Sequence, residues 1–160
     1  MSASWYHFFV LLHIVGVVSF MTCHGGSMFV LYRIRQSTDR EKILDLLTFS
    51  GETVIPMYIS LAVLVVAGTI AGIGGSWFHF WWIWAAIGAL LLTTGLMTVT
   101  ARPYFQRVKA ACAIRPTGVP RASDEELAEL VGGSTANLIT AIGTVGLLVI
   151  LYLMIYKPGL

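Results

Sequence analysis

The feature that most restricts the fold of this chain is its first long segment, residues 5–32, which contains no charged side chain. That segment is longer than the ~20 apolar residues needed to cross the hydrocarbon core of a bilayer. Only 11% of the whole sequence is charged and 57% is hydrophobic, whereas a typical soluble domain carries about 25% charged residues. The sequence therefore predicts a polytopic membrane protein.

A second stretch has the same character. Residues 53–101 are also uncharged, a length that suits two crossings better than one. The break between them is expected at GIGGSWFHFWW, where glycines permit a turn and aromatic rings suit the membrane interface. The sequence thus predicts an all-α, four-transmembrane-helix bundle in a single domain, 1–160, whose second and third helices form a hairpin. The predicted spans are residues 5–32, 53–73, 78–100 and 134–156, with a loop at 101–133.

Basic residues predict the orientation of this bundle. Nine of the ten Lys and Arg residues fall in the two long loops, and the turn at 74–79 has none. The positive-inside rule then places both basic loops in the cytoplasm and both termini outside. We expect a multi-pass protein of the bacterial inner (cytoplasmic) membrane, with the first helix retained because its N-terminus lacks a signal-peptide pattern. The net charge of +2 gives no support for nucleic acid as a partner.

Shorter elements are predicted in the basic loops. Residues 43–50 form an amphipathic segment, and Ser123 with Glu126 matches the capping box of a short acidic helix. Gly68 and Gly72 form a GxxxG pattern, which lets membrane helices approach closely.

Three of the four histidines lie in the first span. His13 and His24 are eleven positions apart, which places them within about 20° of one face of a helix, and His7 points about 120° away. Lipid cannot satisfy an imidazole, so the face with His13 and His24 is expected to turn toward the other helices.

This pattern is compatible with haem b held between helices by imidazoles. His13 is the first candidate ligand, His79 in the outer turn is its partner, and His24 is a deeper candidate. The alternative is that His79 lies in the interfacial Trp belt and His13 hydrogen-bonds a hydroxyl on another helix. Arg33 and Arg102 are candidates to contact haem propionates or lipid phosphates, although a solvated basic face explains them equally.

A second candidate site has soft ligands. His24 is flanked by Met21 and Met28, and Met57 and Met97 are expected at a comparable depth. Thioethers beside an imidazole suit Cu(I), but methionine is also an adaptable packing residue.

Glu52 is expected at the start of the second helix, where the helix dipole favours a carboxylate. The alternatives are a proton relay or an ion pair with Arg33 or Arg102. No phosphate-binding loop, zinc spacing or nucleophile motif is present in the sequence, so we do not expect an independent enzyme.

The motif LHIVGVVSF, followed by the pair Gly25-Gly26 and by YRIR, resembles the first helix of the copper-resistance-D-like superfamily of bacterial inner-membrane proteins. The superfamily includes four-helix proteins of unknown function, and the order of loops and helices here is similar. The resemblance implies a four-helix bundle and makes His13 the position of a haem or metal ligand. A more distant similarity is to HemJ-type protoporphyrinogen oxidases, but the basic residue that often precedes the first-helix histidine in these families is absent.

Three functions follow as hypotheses. The first is a small integral membrane subunit of a respiratory or photosynthetic electron-transfer assembly, b-type cytochrome-like, with His13 as a haem ligand. The second is a copper-handling membrane protein that uses the Met/His site. The third is a cofactor-free accessory subunit that contacts lipid and the other membrane subunits of a larger complex through its small-residue faces.

Overall fold

The apolar runs of the sequence form long helices in the computed structural model, which describes residues 2–159. Within these residues, four helical segments are long and apolar enough to cross a membrane, which confirms the predicted all-α class with four candidate spans. The helices are α1 (Ala3–Arg35), α2 (Arg40–Glu52), α3 (Val54–Gly74), α4 (Trp81–Cys112), α5 (Asp124–Gly132) and α6 (Ser134–Tyr156), with a 3₁₀ turn at Trp77–His79.

Two helices are longer than a bilayer requires. The first, α1, has 33 residues and α4 has 32, which corresponds to about 50 Å of helix each, against a hydrocarbon core of about 30 Å. Pro103 lies inside α4 without ending it. The basic ends of both helices therefore continue beyond the apolar span.

The short helices have well-defined starts. The Asp39 side chain accepts hydrogen bonds from the amides of Glu41 and Lys42 at the start of α2. The predicted capping box of α5 is confirmed, because Ser123 and Glu126 exchange side-chain and backbone hydrogen bonds. Glu52, expected at the mouth of the second span, is the last residue of α2 and directly precedes Thr53, the N-cap of α3.

The four long helices associate as two pairs, α1 with α3 and α4 with α6. A Cβ atom on Gly16 would lie 2.8 Å from the backbone nitrogen of Leu64, so glycine is what allows α1 to approach α3. Gly146 on α6 lies similarly against Thr93 on α4. The second and third spans are joined by a turn, as predicted, but α3 and α4 each have their main contacts with another helix.

The two pairs are held together at the end of the bundle that carries α2 and α5, here called the basic end. Helix α2 contacts α4 as well as α1 and α3, and α5 contacts α1 as well as α4. The largest fully buried side chains within residues 2–159 lie here, among them Ile34, Ile43 and Val108. This end is the continuous core of the molecule.

The opposite end, here called the aromatic end, is built around the predicted Trp-rich turn. Ser76 adopts the left-handed conformation with φ of 56°, and the neighbouring glycines do not. Trp82 is buried with Ile83, Ala86 and Leu153. The Lys157 ammonium lies 4.5 Å from the centre of the Trp77 ring, a cation–π contact between the end of α6 and the turn.

Candidate ligand cavity between the helix pairs

A cavity of about 650 Å³ lies between the two helix pairs. It lies there because each pair is closely packed internally, whereas the long helices of different pairs contact one another much less. Its walls are mostly apolar side chains, including Leu31, Leu47, Leu61, Leu90, Leu147 and Ile150. The volume is in the range of about 300–1,000 Å³ that is usual for small-molecule and cofactor sites.

His24 lines this cavity and is 8% exposed. Its ring stacks on Phe20, with ring centres 5.8 Å apart and planes within 6°. Its Nε2 atom lies 2.8 Å from the position that a Cβ on Gly143 would occupy, so α6 accommodates the imidazole only because it has glycine there. His24 Nε2 is buried and has no hydrogen-bond partner in residues 2–159. Such a group is costly and calls for an explanation.

Three of the four methionines proposed for copper line this cavity. Met28, Met57 and Met97 line the cavity together with His24. The Met97 methyl carbon lies 3.9 Å from the same Cβ position on Gly143, which places it close to the imidazole. Met21 does not line the cavity and is 38% exposed.

Three hydroxyl groups form a chain beside the cavity at the basic end. Ser50 donates to the Ser27 oxygen at 3.2 Å. Thr53 donates to the Ser50 carbonyl at 2.8 Å, so its oxygen accepts from Ser27 at 3.1 Å. The sequence did not predict these hydrogen bonds, because hydroxyls on separate helices show no shared pattern.

Cations lie at the basic rim of the cavity. Arg102, Gln106 and Lys109 line it at helical spacing along α4, and all three are exposed. Lys109 was not singled out by the sequence, because a basic residue in a basic loop is unremarkable there. Arg33 is exposed and does not line the cavity. An acidic group at this rim would meet two positive charges.

The other candidate histidines lie elsewhere. His13 Nδ1 is 2.7 Å from the Leu64 carbonyl oxygen, to which it donates, and the ring fills the space beside Gly68. This bond joins α1 to α3. His79 is exposed in the aromatic turn, against Phe80. Neither histidine lines the cavity, and their assignments as haem ligands stay predictions.

Glu52 is exposed and does not line the cavity. Within residues 2–159 it forms no ion pair with Arg33 or Arg102. Its role as a proton relay also stays a prediction.

No group of three His, Cys, Asp or Glu side chains within residues 2–159 is placed to hold a metal ion. Copper at this site would therefore depend on His24 and the thioethers.

A scan against protein-family models finds no match to the chain, and searches of curated proteins and of solved structures find no significant relative. Functional inference thus depends on the cavity itself.

Proposed function

We propose that the protein is a small integral membrane subunit of an electron-transfer assembly that binds haem b in the cavity between its helix pairs. The observation that carries the proposal is the combination, in one cavity of about 650 Å³, of apolar walls, a single imidazole and a cationic rim. A flat apolar ring with two carboxylates at one edge is complementary to such a cavity in shape, hydrophobicity and charge.

The residues present match the parts of that cofactor. Arg102 and Lys109 at the rim are placed to bind its carboxylates. His24 would hold the iron, and its ring would then turn from Gly143 toward the cavity that it borders. Met97 is the thioether near that ring and would be the candidate for a second ligand. When bound, haem b supplies reversible one-electron transfer, while the apolar walls exclude water and the axial ligands tune its potential.

The test is the absorbance of protein purified from haem-supplied cells, reduced with dithionite and compared with the oxidised form. The wild type is expected to show Soret and α bands. His24→Ala should lose them and His13→Ala should keep them, because only His24 lines the cavity. A wild type without these bands overturns the proposal, and loss of the bands in His13→Ala alone assigns the ligand to His13 instead.

Membership of an electron-transfer assembly has its own test. Affinity purification from a native membrane should recover redox subunits at a fixed stoichiometry. Recovery of the protein alone, with haem present, would contradict the assembly and leave the haem site intact.

A second function is favoured by one specific observation: Met28, Met57 and Met97 line the same cavity as His24. These side chains suit Cu(I), and the protein would then handle copper within the membrane. Metal analysis after purification should show less copper in His24→Ala and Met57→Leu than in wild type. Met21→Leu is the matched control, because Met21 lies outside the cavity. Equal copper in all four proteins would contradict this function.

A further inference from the structure

The two sides of the cavity differ in how they are closed. On one side α1 meets α6, where His24 lies against Gly143. Nearer the basic end, Arg35 donates to the Asn137 side chain and to the Gly132 carbonyl. This side is closed by direct contact between the helix pairs.

The other side lies between α3 and α4 and has no such closure. Within residues 2–159, no side-chain hydrogen bond joins these two helices. Val54 and Tyr58 of α3 line the cavity and yet are 39% and 51% exposed. Side chains that line a cavity and are also exposed mark the place where it meets the surroundings of the protein.

Helix α4 carries a polar track along this opening. Thr94, Thr98, Arg102 and Gln106 recur every fourth residue and all line the cavity. The Thr98 hydroxyl is satisfied by the Thr94 carbonyl at 2.8 Å, so the track is tolerated in an apolar span. It leads from the middle of the helix to the cations at the basic rim, where anionic groups are attracted.

We infer that the cavity opens sideways into the bilayer between α3 and α4, and that its acidic amphiphilic ligand reaches it through this opening from the leaflet at the basic end. The inference rests on the proposed haem function. An apolar ring partitions into the leaflet and moves between the helices, while its carboxylates stay at the headgroup level and pass to Arg102 and Lys109. The ring then arrives with its acidic edge at the rim.

The test uses a reversible cross-link across the opening. Tyr58→Cys with Thr98→Cys, in a Cys23→Ser and Cys112→Ser background, is reconstituted as apoprotein in phosphatidylcholine nanodiscs. Haemin is added, and the appearance of the Soret band is followed by stopped flow before and after joining the thiols with a short disulfide-containing linker. We expect the cross-link to slow loading at least about tenfold, and reductant to restore the rate.

The matched control is Arg35→Cys with Asn137→Cys, which joins α1 and α6 where they are already in contact. Its cross-linked form should load at the rate of its reduced form. Equal rates in the cross-linked and reduced Tyr58/Thr98 protein, with a normal final Soret band, overturn the lateral opening alone. Absence of a Soret band in the reduced protein overturns the haem function and this inference together.

The cations are tested in the same assay. Arg102→Gln with Lys109→Gln should slow loading about tenfold and reduce its dependence on salt, as expected where charge steers association. Arg33→Gln, an exposed basic residue away from the rim, should load at the wild-type rate. Unchanged loading in the double variant would contradict the part assigned to the two cations.

Discussion

His24 and Gly143 depend on each other. The imidazole tip occupies the space that any larger residue would fill at position 143, and the glycine leaves the Nε2 atom without a hydrogen-bond partner. The helical spacing of α1 predicted that His24 faces the interior. It did not predict Gly143, because one glycine among several in an apolar helix carries no sign of which neighbour it meets.

This dependence gives a prediction at position 143. Gly143→Ala places a Cβ 2.8 Å from His24 Nε2, and we expect it to lower the free energy of unfolding by about 1–3 kcal/mol through overpacking. Gly88→Ala is the matched control, since no atom lies within 4 Å of the added Cβ, and it should be neutral or stabilising by up to about 1 kcal/mol. Reversible unfolding in mixed detergent micelles measures both. Equal effects of the two substitutions would contradict the contact.

At the scale of elements, the short helices α2 and α5 hold the two pairs together. Arg40 at the start of α2 donates to the carbonyls of Ala111 and Ala122, both at 2.9 Å, and to the Asp124 carboxylate at 2.6 Å. One guanidinium therefore ties α2 to the end of α4 and to the start of α5.

Arg40 and Asp124 are predicted to contribute unequally to stability. Asp124 is 86% exposed, so Asp124→Ala should cost less than about 1 kcal/mol, as is usual for exposed ion pairs. Arg40→Ala also leaves two carbonyls without their charged donor and should cost about 1.5–3 kcal/mol. The same unfolding assay compares them. If Asp124→Ala lowered the free energy of unfolding as much as Arg40→Ala, the ion pair and not the carbonyl contacts would account for the stabilisation by Arg40.

Cys112 reports on the same region, since it lies beside Ala111 and is 1% exposed. Burial raises the pKa of its thiol, and nearby Arg40 offsets part of that rise. In a Cys23→Ser background, maleimide labelling of Cys112 should be at least about tenfold slower in the folded protein than in SDS, because the reactive thiolate is both scarce and covered. Arg40→Ala should speed the labelling by loosening the contact between α2 and α4. Slower labelling in that variant would mean that loss of the positive charge outweighs loss of packing.

Not all elements were equally predictable from the sequence. Charge-free runs gave the four spans, and the Ser123–Glu126 pattern gave the start of α5, because bilayer length and capping are local constraints. Helix pairing was not predictable, because each span is apolar on all its faces and no single apolar stripe marks the face that contacts another helix.

At the scale of the whole molecule, the pairing decides where a ligand fits. If α3 and α4 packed against each other along their length, the side that is now open between them would be closed. Because α3 packs on α1 and α4 on α6, the gap lies between the pairs and collects residues from both halves of the chain. The sequence therefore grouped His24 with the methionines by their expected depth, but it did not indicate that three of those methionines share one cavity with Arg102 and Lys109.

The orientation of the molecule determines which leaflet supplies that cavity, and it gives the last prediction. Ser76 lies exposed at the aromatic end and Thr117 lies exposed in the loop between α4 and α5. With native cysteines replaced by serine, Ser76→Cys should react with a membrane-impermeant maleimide in intact bacterial cells that have a permeabilised outer membrane. Thr117→Cys should react only in inverted inner-membrane vesicles, because nine of the ten Lys and Arg residues lie in the two loops of the basic end. The opposite labelling pattern would place the cationic rim in the outer leaflet, and an acidic ligand would then reach the cavity from outside the cell.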